Sequence, residues 1–241
     1  MNSIQSIFCP QTLEDFPYKK PASYETLCKL QNGKRKLDFS HTASGKKGIF
    51  LHGPNGTGKS TLANLLPAIF EVSHNFPSTP EAGGLGIIIG GTAYITSHKV
   101  SNSNAISLVN GIQQRNGLMG SYSPKGWRYE VIDEASQLTS HAQGALKALM
   151  DDAHCTIFIF VSNNELGFDS GLKSRCYCIE MGYASMKELV NRAQGMLSAG
   201  GVMLTEQVQQ KVHRIAQNCG GDLRELGSGI EELLGDICGG K

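Results

Sequence analysis

Residues Gly53 to Ser60 carry the most specific chemical pattern in the sequence, GxxxxGK[ST]. Glycines at these spacings let backbone N–H groups close around phosphates, and a following helix would add the positive end of its dipole. Lys59 would reach the β- and γ-phosphates, and the Ser60 hydroxyl would ligate Mg²⁺. The residues predicted to hold a nucleoside triphosphate are Gly53, Pro54, Asn55, Gly56, Thr57, Gly58, Lys59, Ser60 and Thr61.

Two adjacent carboxylates, Asp133 and Glu134, end a short apolar run that begins at Tyr129. One carboxylate at such a position can hold Mg²⁺, and the next can orient and polarise a water for attack on the γ-phosphorus. Paired carboxylates are also common on surfaces, but the phosphate-binding pattern upstream favours the catalytic interpretation. We therefore predict Ser60 and Asp133 as metal ligands and Glu134 as a catalytic residue.

Three further polar residues have more than one interpretation from the sequence alone. Asn163 follows an apolar run, where its amide could hold a water or a γ-phosphate oxygen, although Asn is also a frequent turn residue. Arg175 and Arg224, taken by themselves, fit ordinary surface charges. Their roles stay open at this level.

The surrounding pattern predicts an α/β sheet domain followed by helices. Apolar strands that end on polar residues are typical of parallel sheets, whose ligands bind at the carboxyl ends of the strands. From Ser185 onward the spacing is helical, with breaks at glycine pairs, so we predict a core over residues 1–181 and a small all-α domain over 182–241. The predicted strands are 47–52, 92–96, 129–132 and 156–161, and the predicted helices of the first domain are 22–30, 60–70, 104–114 and 140–150. A glycine-rich stretch surrounds three isoleucines at 87–89.

Composition and charge exclude several classes of protein. With 40% hydrophobic and 18% charged residues the chain is too apolar for a disordered protein, and a net charge of +1 excludes a strongly basic nucleic-acid binder. The seven cysteines are odd in number and scattered, so we expect reduced thiols. Neither a leader pattern nor a membrane-length apolar run is present, so we expect a soluble protein that is not secreted, and that is cytoplasmic, or nuclear in a eukaryote or virus.

Three longer segments, Asp133 to Met150, Leu172 to Cys176 and Gly221 to Arg224, resemble the clamp-loader (replication-factor-C-like) branch of the AAA+ ATPases. The resemblance implies an AAA+ P-loop NTPase core, a parallel sheet flanked by helices, and a helical lid. It also implies ATP hydrolysis, in which Asn163 would be the sensor 1 residue. Lys59 would also be one of the catalytic residues. Arg224 would be sensor 2, and Arg175 would be an arginine finger offered to the ATP of a neighbouring subunit.

The same resemblance suggests partners and a function. The segment from Phe8 to Phe16 would wall the adenine pocket, and nucleotide-containing interfaces would join chains of a homo- or hetero-oligomer. We expect ATP-driven assembly on DNA and loading of a sliding clamp or a helicase. The candidate DNA contacts are Lys99, Arg115, Lys125 and Arg128.

Two alternatives remain. A viral-type superfamily 3 helicase also has a phosphate loop and a strand ending in Ser-Asn-Asn, as at Ser162 to Asn164, and a scaffold could bind ATP with little hydrolysis.

Overall fold

The computed structural model describes residues 10–37, 45–78, 94–101, 103–117 and 122–239. Its centre is a five-stranded sheet in the order β2-β3-β4-β1-β5, in which every pairing is parallel. All carboxyl ends of the strands therefore share one edge of the sheet. The strands are β1 (Gly48–His52), β2 (Ile95–Lys99), β3 (Arg128–Asp133), β4 (Thr156–Ser162) and β5 (Cys176–Glu180).

Eight α-helices accompany these strands in the described residues. The four helices expected in the first domain are confirmed within a few residues of their predicted ends. The helices are α1 (Pro21–Gln31), α2 (Lys59–Val72), α3 (Ala105–Gly117), α4 (Ser140–Asp152), α5 (Ser170–Ser174), α6 (Met186–Ala199), α7 (Glu206–Asn218) and α8 (Leu223–Gly239). Short 3-10 turns lie at Leu13–Asp15 and Ala135–Gln137.

The strand prediction between β1 and β3 is the least accurate. The expected strand 92–96 is displaced toward the carboxyl end, because the observed β2 is Ile95–Lys99. Its alternately exposed side chains carry little of the apolar signal that marks buried strands. The glycine-rich stretch around 87–89 lies outside the described residues.

The central strands read as continuous apolar runs because helices cover both faces of the sheet. All residues of β1 and β4 are buried. Phe158 and Phe160 of β4 pack with Leu146 of α4 and Ile112 of α3 in one apolar cluster. The sheet thereby becomes a rigid frame for the residues at its carboxyl edge.

The described chain forms two compact units. The sheet unit comprises Lys20–Gly53 and Lys59–Glu180, and the lid unit comprises Met1–Lys19, Pro54–Gly58 and Met181–Lys241. The lid unit has its own core, in which Leu197 of α6, Val212 of α7 and Ile230 of α8 are fully buried. The domain boundary predicted at residue 181 stays a prediction. None of the helices in the described ranges has the length and apolarity that crossing a bilayer would take.

Candidate active site

Ser60 and Asp133 meet at the carboxyl edge of the sheet. Ser60 lies in the first turn of α2, Asp133 ends β3, and the Ser60 hydroxyl donates to Asp133 Oδ2 at 2.9 Å. Hydroxyl and carboxylate oxygens are the hard donors that Mg²⁺ takes, and this ion needs only one or two protein ligands beside phosphates and waters. No cluster of three or more His, Cys, Asp or Glu side chains that could hold a metal occurs among the described residues. The donor pair therefore suits Mg²⁺.

The glycine loop follows β1 and leads into α2 as predicted. Gly53, Gly56 and Gly58 all have positive φ values, of 141°, 72° and 82°, which glycine adopts without a steric penalty. Thr57 is fully buried and its hydroxyl donates to the Pro54 carbonyl at 3.0 Å. This internal bond helps fix a loop of the kind whose backbone N–H groups bind phosphate.

Glu134 is held in a strained backbone conformation directly after Asp133. Its φ of 58° lies in the left-handed region, which costs a residue with a side chain on the order of 1–3 kcal/mol. Its N–H donates to Asp133 Oδ1 at 2.8 Å. The Glu134 carboxylate is paired with Lys99 Nζ at 3.2 Å and also accepts from Gln137. The Lys99 contact was not expected from the sequence, because the predicted strand ended at residue 96 whereas the observed β2 ends at Lys99.

Asn163 also lies at this edge, immediately after β4. In the strand order, β4 is between β3, which ends in Asp133, and β1, which leads into the loop. Asn163 is exposed and makes no hydrogen bond with the described residues. The neighbouring turn is closed by Ser162, whose hydroxyl donates to the Asn164 carbonyl at 2.6 Å. The Asn163 amide is therefore available to a ligand at the edge.

Gln143 of α4 supports this edge from behind. Its amide nitrogen donates to the carbonyls of Leu138 and Gly167, both at 3.0 Å, and its oxygen accepts from Asp169 N–H at 2.6 Å. The side chain is 6% exposed. It thus links the turn that follows Glu134 to the loop that follows Asn163. The sequence placed Gln143 on a helix but gave no sign that its amide bridges two loops.

Arg175 lies at the opposite edge of the sheet. It immediately precedes β5, and β5 pairs with β1 in the register Gly48 with Cys176 and His52 with Glu180. The five-residue length of β1, roughly 16 Å, therefore separates Arg175 from the start of the glycine loop. The structure does not bring Arg175 together with the other predicted site residues of the sheet unit.

Within the lid unit, the start of α8 lies against the middle of the loop. Leu223 N–H donates to the Gly56 carbonyl at 2.9 Å. A Cβ at Gly56 would lie 1.9 Å from Asp222 Cγ, so only glycine fits there. Asp222 in turn accepts from Arg224 N–H at 2.7 Å. The Arg224 side chain is exposed on the first turn of α8.

A cleft in the lid unit adjoins the N-terminal segment. It has a volume of about 340 Å³ and is lined in part by Phe16, Pro17, Asn191 and Leu223. That volume is at the small end of the range for ligand pockets. The described part of the segment expected to wall an adenine pocket therefore does line a cleft.

Three of the four candidate DNA contacts have partners inside the chain, and whether any of the four contacts DNA stays a prediction. Arg128 is 5% exposed and donates to the Arg115 carbonyl. The Arg115 side chain pairs with the fully buried Glu130 at 3.1 Å. Lys125 donates to the Phe70 carbonyl at 2.9 Å, at the end of α2. Sequence alone cannot distinguish a buried, paired cation from an exposed one, and only Lys99 of the four has a mostly exposed side chain.

Comparison with curated proteins finds replication factor C small subunits. The chain is 23% identical to replication factor C small subunit 2 of Pyrobaculum islandicum over 214 residues, which are 87% of this chain and 60% of that protein. It is also 23% identical to small subunit 1 of Pyrobaculum aerophilum, covering 87% of this chain and 58% of that one. The chain thus spans about 60% of the length of these relatives. No family model matches the sequence.

Solved structures share the fold at low sequence identity. A RuvB variant from Thermotoga maritima superposes with a TM-score of 0.61 at 14% identity, over 92% of this chain and 64% of that one. PCH-2 of C. elegans gives 0.60 at 15% identity, over 98% and 72%. Domain III of DnaA from Thermotoga maritima gives 0.57 at 16%, over 95% and 90%. The chain therefore has the AAA+ P-loop fold, and its sequence is weakly similar to replication factor C small subunits.

Proposed function

We propose that this chain is a clamp-loader-like AAA+ ATPase that couples ATP binding and hydrolysis to oligomer assembly on DNA and to loading of a replication partner, a sliding clamp or a helicase. The observation that carries the proposal is the meeting of Ser60, Asp133 and Glu134 at the sheet edge where the glycine loop begins. The relatives are named for replication, and because the chain spans only about 60% of their length, its DNA and its cargo are part of the proposal.

Binding of ATP uses the glycine loop and the donor pair beside it. Backbone N–H groups of the loop receive the phosphates, and the Lys59 ammonium donates to the β- and γ-phosphates. Ser60 and Asp133 hold Mg²⁺, which when bound neutralises charge on the phosphate oxygens. The cleft beside Phe16 is large enough for part of a nucleotide and is our candidate for the adenine.

Hydrolysis is assigned to Glu134 and Asn163. The Glu134 carboxylate orients a water and accepts its proton, while the Asn163 amide holds the water or a γ-phosphate oxygen. The water oxygen bonds to the γ-phosphorus as the bond to the bridging oxygen breaks, giving ADP and phosphate. The Lys99 ion pair is no obstacle to this role, because the Lys99 side chain is 78% exposed and such surface pairs are weak.

The arginine finger is assigned to Arg175, acting on the ATP of a neighbouring chain. Its place at the amino edge of the sheet, roughly 16 Å from the loop of its own chain, is too far for one arginine side chain to reach. A guanidinium supplied by a second chain would offset charge on the transferring phosphoryl group, an effect of about 10³ to 10⁵ in rate elsewhere. This arrangement supports an oligomer with nucleotide at its interfaces. The sensor role of Arg224 stays a prediction.

The test is the rate of ATP hydrolysis per chain, measured against protein concentration with and without primed DNA. The wild type should become faster with concentration and with DNA. Arg175→Ala and Glu134→Gln should both lose hydrolysis while still binding nucleotide. Arg214→Ala removes an exposed arginine of α7 and should behave as the wild type.

Other outcomes would replace the proposal. Hydrolysis that ignores both concentration and Arg175 would contradict the finger in trans. Separation of duplex strands by the chain alone would favour the helicase, and a single-turnover rate near that of free ATP would favour the scaffold.

A further inference from the structure

The Arg175 guanidinium is held by a carboxylate near the end of α4. Arg175 Nε donates to Asp151 Oδ1 and Nη2 donates to Oδ2, both at 2.7 Å. Such two-point pairs between arginine and a carboxylate fix the orientation of the guanidinium plane as well as its position. The backbone is fixed too, because the Arg175 carbonyl accepts from the N–H groups of Lys47 and Gly48 at 2.9 and 3.1 Å.

This contact leaves part of the guanidinium free. Arginine has five N–H donors. Asp151 engages one on Nε and one on Nη2, and the Gly171 carbonyl engages one on Nη1 at 2.9 Å. Two N–H groups, one on each terminal nitrogen, therefore have no partner among the described residues, while the side chain keeps 19% of its surface exposed. The group is held from one side and can still donate from the other.

The local charge stays positive despite the carboxylate. Lys47 is 3% exposed, and its ammonium donates to the Asp151 backbone carbonyl at 2.7 Å. The Arg175 hydrogen bond, together with the charges of Arg175 and Lys47, holds the pKa of Asp151 below its usual value. Lys47, Asp151 and Arg175 together carry one net positive charge at neutral pH. The charge of Asp169 also acts on Arg175, but Asp169 is itself paired with Lys147 Nζ at 3.1 Å, so the five groups keep one net positive charge, which suits approach to a phosphate.

We propose that Asp151 is a positioning residue for the arginine finger, which orients the two free N–H groups of Arg175 toward the γ-phosphate of a neighbouring chain. This inference rests on the proposed function, because it needs Arg175 to act in trans. It adds a residue that touches no nucleotide itself. It also means that the finger is already oriented in the single chain, before assembly.

The first test compares three variants of the full chain. Asp151→Asn loses the two-point charged contact and should lower kcat by about 10- to 100-fold, the effect of a small misplacement of a catalytic group. Its nucleotide Kd should be unchanged, because the site of its own chain is at the other edge of the sheet. Asp151→Glu keeps a carboxylate and should retain most activity. Asp152→Asn makes the same charge change at the exposed next residue and should be silent.

Mixing experiments separate a positioning role from a defect in the variant's own site. Glu134→Gln has an inactive site but an intact finger, so adding it to Asp151→Asn should restore hydrolysis at interfaces where Glu134→Gln supplies the finger. A mixture of Glu134→Gln with Arg175→Ala serves as the reference. A merely structural defect of Asp151→Asn would not be restored in this way.

The two proposals fail differently. Suppose that hydrolysis is restored in the reference mixture. If Asp151→Asn alone then has the wild-type kcat, or if its mixture with Glu134→Gln does not regain hydrolysis, Asp151 has no positioning role and the ATPase assignment stands. An equal loss in Asp151→Glu and Asp151→Asn would overturn the role as well. If the reference mixture also stays inactive, the finger in trans is wrong and both proposals fall.

Discussion

Replacing Gln143 by leucine should loosen the candidate site without touching a nucleotide. The side chain makes three hydrogen bonds, to the carbonyls of Leu138 and Gly167 and from the N–H of Asp169. Leucine is of similar size and can make none of them. The turn after Glu134 and the loop after Asn163 would then lose their common anchor.

The cost follows from the groups that are left without partners. A buried backbone group without a hydrogen bond costs about 1–3 kcal/mol. Leu138 is buried, but Gly167 is exposed and Asp169 is half-buried, so water can satisfy part of the loss. We therefore expect a total of about 3 kcal/mol. For a chain of this size that corresponds to a fall in Tm of roughly 6 to 12 °C.

Trp127 provides a local assay. It is the only tryptophan, lies in the sheet unit and is 6% exposed, so its fluorescence follows unfolding of that unit. Gln143→Leu should lower the midpoint by the amount given above and slow ATP hydrolysis at temperatures where the chain is still folded. Nucleotide affinity should change little, since the glycine loop is not altered.

Gln114→Leu is the matched control, because it makes the same chemical change on the exposed surface of α3. Its Tm should stay within about 2 °C of the wild type, the range for surface substitutions. The reasoning fails if Gln143→Leu melts with the wild type, or if it is destabilised but hydrolyses ATP at the wild-type rate.

Further predictions concern helix stability, buried charge and acid sensitivity. Gly144→Ala, at an exposed α4 position with no atom within 4 Å of the added Cβ, should stabilise the fold by about 0.5–1 kcal/mol in chemical unfolding. Arg128→Met should destabilise it by about 2 kcal/mol in the same assay. Lys99→Met should lower the free energy of unfolding by less than about 1 kcal/mol. If Lys99 contacts DNA, the same change should also reduce the number of ions released on DNA binding by about one. Because Arg175 holds the pKa of Asp151 below its ordinary 3.8, the unfolded state takes up this proton first as pH falls. The Tm difference between wild type and Asp151→Asn should have its largest value at neutral pH. It should disappear as the pH falls below 3.8 and passes the pKa of Asp151 in the folded state.

The sequence by itself determined the fold class and the carboxyl-edge residues. Local signals sufficed here, since the glycine spacing defines a loop and the apolar runs before Asp133 and Asn163 define buried strands. Once those strands are parallel, the residues that follow them must share an edge. The meeting of Ser60 and Asp133 was predictable for this reason.

Only the tertiary structure decided which charged and amide groups meet. Asp151 and Arg175 are 24 residues apart in the sequence, and so are Gln143 and Gly167. No local sequence pattern therefore predicts either contact. Arg128 and Lys99 look alike in sequence, yet one is buried and the other is exposed. Burial and partner choice depend on how helices pack on the sheet. For this physical reason, only the tertiary structure shows which partners each functional side chain contacts.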